Sequence, residues 1–171
     1  LSAVDRLLVA GRALWFYAGK LFWPSELTFI YSRWSIDSTS FTAWVYPLGV
    51  VALVALLWHQ RSRVGRGPLA AVLLFAVTLV PALAFVVVYP MRFSFVADHF
   101  QYLASIPLLT AAAWLIVTRW YATHGGVLVL VLAVLSFSHS RVFSDSLTLW
   151  SDTVNKNPAS VLALTNLGNE L

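Results

Sequence analysis

Apolar positions in this chain fall into blocks, and the first block differs from the rest. Val4, Leu7, Leu8, Gly11, Leu14, Trp15, Ala18, Leu21 and Phe22 recur at the i, i+3, i+4, i+7 spacing of one helix face. Asp5, Arg6, Arg12 and Lys20 fall on the opposite arc. A cation at the centre of a lipid-exposed helix costs about 2.5–3.5 kcal/mol. With both Arg12 and Lys20, residues 4–22 are a poor simple span. The pattern fits an amphipathic helix lying in the interface, or one packed against other helices with its polar arc lining a cavity. Pro24 ends it.

The later blocks are longer and more uniform. Residues 41–59 approach the roughly 20 apolar residues that a crossing helix needs, with Pro47 placed to kink the helix near its start. Pro68 opens a second span reaching about Tyr89, with Pro81 expected to bend it. The third covers 102–118. Gly125-Gly126 is expected to break the helix, and a short fourth span runs from Val127 to about Ser138 and on through Arg141 into the interface. The expected fold is therefore all-α: a polytopic helical membrane protein of about four spans, an N-terminal amphipathic helix and a C-terminal helical hairpin. Residues 1–40 hold the helix and an aromatic loop, 41–139 the bundle, and 140–171 the tail.

Composition agrees. Hydrophobic residues make up 60% and charged residues 11%, against about 45–50% and about 25% in soluble domains. The 8 Trp and 6 Tyr suit interfacial belts, alongside membrane lipids as partners. The absence of Cys excludes disulfides, thiolate metal sites and a Cys nucleophile, and leaves the redox compartment open. No signal-peptide pattern is visible. The one dense basic run, His59 to Arg66, sits between two apolar blocks. It therefore reads as a positive-inside loop rather than a nucleic-acid surface. Parity then places loops 23–40 and 90–101 and the tail outside, periplasmic or lumenal, in a bacterial inner membrane or the endoplasmic reticulum. Arg119, Trp120, Tyr121 and His124 form an anchor on the inner side.

Candidate chemistry gathers on the outer rim. Arg92 suits a phosphate because its guanidinium makes paired hydrogen bonds. Asp98 is placed to orient Arg92 or an acceptor, and His99 to exchange a proton near neutral pH. The bland alternative is a solvated Arg–Asp pair worth about 0–1 kcal/mol. Arg33 and Asp37, with Tyr31 and Trp34, suit a sugar face or headgroup, and equally an ordinary aromatic belt. Arg12 and Lys20 either face a lipid phosphate or snorkel. His59, His124 and His139 have no ligand-type partner at i+4, so no metal is expected. No Gly-rich phosphate loop or other cofactor motif is present.

The tail supplies the strongest motif. Leu164, Leu167, Gly168 and Leu171 have the spacing of a first tetratricopeptide-repeat helix, after Asn157-Pro158 where a preceding repeat would end. Residues 144–156 and 159–171 are expected to form antiparallel helices, with Gly168 allowing close approach. Leu164, Leu167 and Leu171 are expected to face Leu149, Trp150 or Val154. Together with Ala18 to Pro24, Leu27 to Trp34, Val96 to Ser105 and Ser140 to Trp150, this ending resembles the transmembrane-and-tetratricopeptide-repeat glycosyltransferases of the C-type fold. Val96 to Ser105 is similar to that family's acidic-Arg-aromatic-x-Tyr-Leu-Pro-Ser run, with His99 in place of Arg and Ala104 in place of Pro. The resemblance implies transfer of mannose or another sugar from a polyprenyl phosphate. It also implies that the repeats meet an acceptor protein or further subunits. The family's essential acidic residues lie in a first external loop that has no counterpart here, and the chain lacks an initiator Met. The expectation is an internal piece of a longer enzyme, or a truncated relative, inactive alone. The competing expectation is a non-catalytic membrane scaffold or accessory subunit.

Overall fold

The computed structural model describes residues 1–85, 89–119 and 122–171, with no side chain described at 90, 119 or 122–124. Among these residues every regular element is helical. The helices are α1 (Ala3–Phe22), α2 (Phe41–Val64), α3 (Gly67–Leu79), α4 (Tyr102–Arg119), α5 (Ala122–Ser140), α6 (Ser146–Lys156) and α7 (Val161–Glu170). Short 3₁₀ turns lie at Val80–Ala82, Tyr89–Arg92, Asp98–Gln101 and Arg141–Phe143.

Ser2 and Asp5 form a reciprocal capping box that starts α1. The helix then buries Val9, Ala10, Ala13 and Tyr17, and Arg6 and Lys20 continue this face at helical spacing. Leu7, Trp15 and Phe22, from the expected apolar stripe, are exposed. Of the two arrangements open from sequence, α1 adopts the packed one: Leu8 and Gly11 of the stripe are buried too, and Arg6, Arg12 and Lys20 are half-buried. Apolar surface can face hydrocarbon, whereas polar groups there need protein partners. Arg6 finds one in the Phe85 carbonyl at 2.7 Å. That contact holds the turn in which buried Ala84 takes a left-handed φ of 62°.

Gly11 sets how closely α1 and α2 cross. A Cβ there would lie 2.6 Å from the Pro47 nitrogen. Four residues along α1, Trp15 covers Gly49 and donates from its indole to the Tyr46 carbonyl at 3.0 Å. The 24 residues of α2 extend about 36 Å at about 1.5 Å per residue, enough to cross about 30 Å of hydrocarbon. Gly65, at φ 92°, turns the chain into α3.

The second expected span ends early. The α-helix stops at Leu79 rather than bending and continuing to Tyr89. Pro81 has no N–H for the Val77 carbonyl, and its ring crowds that carbonyl. Three helices, Phe41–Val64, Asp98–Thr118 and Gly125–Phe143, are long and apolar enough to cross a membrane, while Gly67–Ala82 is shorter. They are compatible with an integral membrane protein. Gly125-Gly126 does not break the chain; both lie inside α5. A Cβ on Gly125 would come within 2.8 Å of Ile116, so this glycine lets α5 approach α4. The anchor expected at Arg119, Trp120, Tyr121 and His124 falls on residues or side chains outside the described set.

The expected C-terminal hairpin is present as α6 and α7, capped by Asp145 and Ser160. Its seam is smaller than the sequence suggested. Thr153, Asn157, Ser160 and Ala163 are buried, whereas Leu164 and Leu171 are exposed. Gly168 faces open space rather than a helix contact. Small residues let α7 lie against α6, with Leu162 and Leu167 half-buried and Leu164 on the outer face.

Candidate functional site

Three segments distant in sequence meet at one end of the bundle: the loop after α1, the stretch from Ser94 to Asp98, and α6. Tyr31 links the first two. Its hydroxyl donates to Asp98 Oδ1 at 2.8 Å. Burial, and then the adjacent Asp98 carboxylate, push the Tyr31 phenol well above its usual value. It therefore keeps its proton and remains a donor across the physiological range. Below it, fully buried Tyr17 accepts the Ala97 N–H at 3.1 Å, fixing the backbone beside Asp98. Phe16 packs edge-on against Tyr17, Tyr31 and Trp34 with centroids 4.9–5.7 Å apart.

The hairpin closes this end. Asn157 is buried and donates from Nδ2 to the Ile30 carbonyl at 3.2 Å. Lys156 donates to the Leu27 carbonyl at 2.8 Å, and Phe29 packs edge-on against Trp150 at 5.4 Å. Together these segments frame a groove of about 600 Å³ whose lining includes Phe16, Lys20, Thr28, Tyr31, Trp34 and Lys156. Lys20 lies 5.6 Å from the Phe16 and Tyr31 rings and is within electrostatic reach of Asp98, as are His99 and His139.

Trp34 separates this groove from a smaller one of about 280 Å³, which holds Arg12, Asp37 and Tyr46. The Arg12 guanidinium lies 4.4 Å over the Trp34 ring. Asp37 is held below the usual carboxylate range, first by the Thr39 side chain and then by its backbone N–H. On the other side lies an apolar groove of about 210 Å³ lined by Phe29, Phe93, His99, Phe100 and Leu162 among others.

The six candidates thus separate. Lys20 and Asp98 meet through Tyr31. Arg12 occupies its own groove behind Trp34. Arg33 lies over Phe95 at 4.8 Å and reaches the Arg92 carbonyl at 3.5 Å. Exposed His99 meets the Phe100 ring edge-on at 4.4 Å. The expected Arg92–Asp98 pair does not form. Arg92 is exposed with its guanidinium 6.0 Å from the Tyr89 ring. The half-buried Asp98 turns inward to Tyr31, where a buried phenol is the nearer donor. Among the described residues the one ion pair is Lys156–Asp152, at 2.7 Å.

Sequence reasoning missed Thr28 and Lys156. Nothing local marks either one, because only the packing of the tail onto the loop brings them to Lys20. Tyr31 was visible as an aromatic and Tyr17 as one position of α1, but their hydrogen-bond roles were not. Comparison with known proteins finds no matching family model, curated protein or solved structure.

Proposed function

We propose that this chain is the membrane portion of a glycosyltransferase that takes its sugar from a polyprenyl-phosphate carrier, with the loop and hairpin on the periplasmic or lumenal side. What carries this reading is the groove at the shared end. Its aromatic walls suit the C–H faces of a sugar. Tyr31, held by its hydrogen bond to Asp98, offers its oxygen lone pair to a sugar hydroxyl, and Lys20 offers a donor to phosphate. Apolar clefts follow toward the hydrocarbon, one of about 410 Å³ lined by Leu14, Phe22, Val50, Phe75 and Leu108 among others. In this reading Arg92 and His99 are rim groups that a phosphate meets on its way from the surface. The chain holds the donor, and activation of the acceptor hydroxyl is not assigned to it.

The test compares binding of short-chain polyprenyl phosphates with and without an attached sugar, across a panel of hexoses, to the chain in maltoside micelles. One sugar-bearing lipid should bind more tightly than the sugar-free lipid. Asp98→Asn and Tyr31→Phe should erase that difference. Equal binding of all lipids by the unaltered chain would sink the reading.

A second reading, a non-catalytic scaffold, is favoured by one feature. The outer face of α7 exposes Val161, Leu164 and Leu171, as the end of a repeat stack does before its next repeat. It predicts that a partner docks there while none of the lipids shows sugar discrimination.

A further inference from the structure

One polar group behind the groove wall has no hydrogen-bond partner. Thr28 is 5% exposed, and its Oγ1 is buried without a hydrogen-bond partner. Being enclosed, this hydroxyl is not offered to an occupant of the groove. The groove itself is lined by two lysines from opposite ends of the chain, Lys20 of α1 and Lys156 of α6. Each ammonium has three donors. Lys20 spends one on the Ser25 carbonyl. Lys156 spends two, on the Leu27 carbonyl and Asp152. Donors therefore remain on both. The walls of Phe16, Tyr31 and Trp34 carry no formal charge, which strengthens any ion contact made against them. Glu26 also lines the groove but is exposed to solvent.

We infer that this groove is a phosphate-ester site in which Lys20 and Lys156 contact the same anion. The C-terminal hairpin is then part of the ligand site and not only an appendage for partners. The site rests on the donor-binding reading above for its ligand's source, the phosphate of a carrier lipid. Its chemistry is shared with soluble phosphate esters.

The experiment uses the chain in maltoside micelles, which carry no phosphate. The probes are farnesyl phosphate, farnesol and glycerol 3-phosphate, followed by phosphorus NMR for the two phosphates and by tryptophan fluorescence. Farnesyl phosphate should bind at least tenfold more tightly than either other probe. Lys20→Gln and Lys156→Gln should each weaken it about tenfold, the low end for a charge-assisted hydrogen bond at partly exposed side chains, and leave farnesol unchanged. Asp152→Asn separates a ligand role from a merely structural one. If Lys156 contacts the anion, removing its competing carboxylate tightens farnesyl phosphate binding several-fold. If the Lys156–Asp152 pair only supports the hairpin, Asp152→Asn weakens binding as Lys156→Gln does, and the inference falls. Unchanged affinity in either lysine variant also overturns it. Glycerol 3-phosphate binding as tightly as farnesyl phosphate would overturn the assignment to a carrier lipid. Because these probes carry no sugar, failed sugar discrimination would strike the transfer reading and leave this site standing. Unaltered phosphate binding in Lys156→Gln alone would strike this site and leave the transfer reading standing.

Discussion

Replacing Gly11 by Ala tests whether the α1–α2 crossing positions the groove. The new Cβ would lie 2.6 Å from the Pro47 nitrogen and 2.8 Å from its Cα and Cδ. These are backbone and ring atoms, so no rotamer change relieves the clash, and the helices must part by most of an ångström. Overpacking of this kind costs about 1–3 kcal/mol, and the absence of any side-chain escape argues for the upper half. Ala offsets part of this, since Gly in a helix interior is worth about 1 kcal/mol less than Ala. The net expectation is a loss of about 1–2 kcal/mol. Gly19 provides the control on the same helix, because a Cβ there meets nothing within 4 Å. Gly19→Ala should be neutral or gain up to about 1 kcal/mol. Thermal unfolding of both variants in one detergent, followed by tryptophan fluorescence at one scan rate, gives the order. Gly11→Ala should unfold at a lower temperature than the unaltered chain and Gly19→Ala no lower. Gly11→Ala should also weaken farnesyl phosphate binding, because α1 carries Lys20 and Tyr17 into the site. A Gly11→Ala protein as stable as Gly19→Ala would refute the close crossing.

Tyr17→Phe keeps the ring but strands the buried Ala97 N–H, which should cost about 1–3 kcal/mol; amide exchange at Ala97 should accelerate, and unchanged protection would show that the hydroxyl is dispensable. Single cysteines at Ser38 and Ser62, both exposed, should react with an impermeant thiol reagent from opposite sides of the membrane, with Ser62 beside the basic loop on the inner face; labelling of both from one side would overturn the orientation. The Asp145 carboxyl is held below its usual 3.8 by the Thr148 N–H and then by the Ser144 and Thr148 side chains. Its folded value is depressed, so its contribution to the α6 cap is present above pH 3.8 and fades as pH falls through the lowered value. Asp145→Asn, which keeps a capping side chain but does not titrate, should flatten that acid dependence of α6–α7 amide exchange, and an unaltered acid profile would remove Asp145 from the cap.

The pattern of residues determined the helical architecture almost unaided. Long apolar runs bounded by Gly, Pro and polar clusters have one economical solution in hydrocarbon, because backbone hydrogen bonds must close within each segment. Asn157-Pro158 likewise announced the turn into α7. The facing of α1 was not legible. Its periodicity is real, but in a membrane the apolar stripe need not point inward, and only the packing of α3, α4 and the loop decided that Ala13 and Tyr17 would be covered while Trp15 stayed partly exposed against α2. The end of α3 was also decided locally and tertiarily at once: Pro81 permitted either a bend or a stop, and the chain stops. The groove is furthest from the sequence. Asp98 carried an obvious charge and an obvious neighbour in Arg92, yet it pairs with Tyr31, and Lys156 lines the same groove as Lys20 because the hairpin is tied to the loop, as by Asn157 to the Ile30 carbonyl. Hydrogen-bond partners across such separations depend on how close packing brings whole segments together, and no spacing rule along the chain encodes that distance.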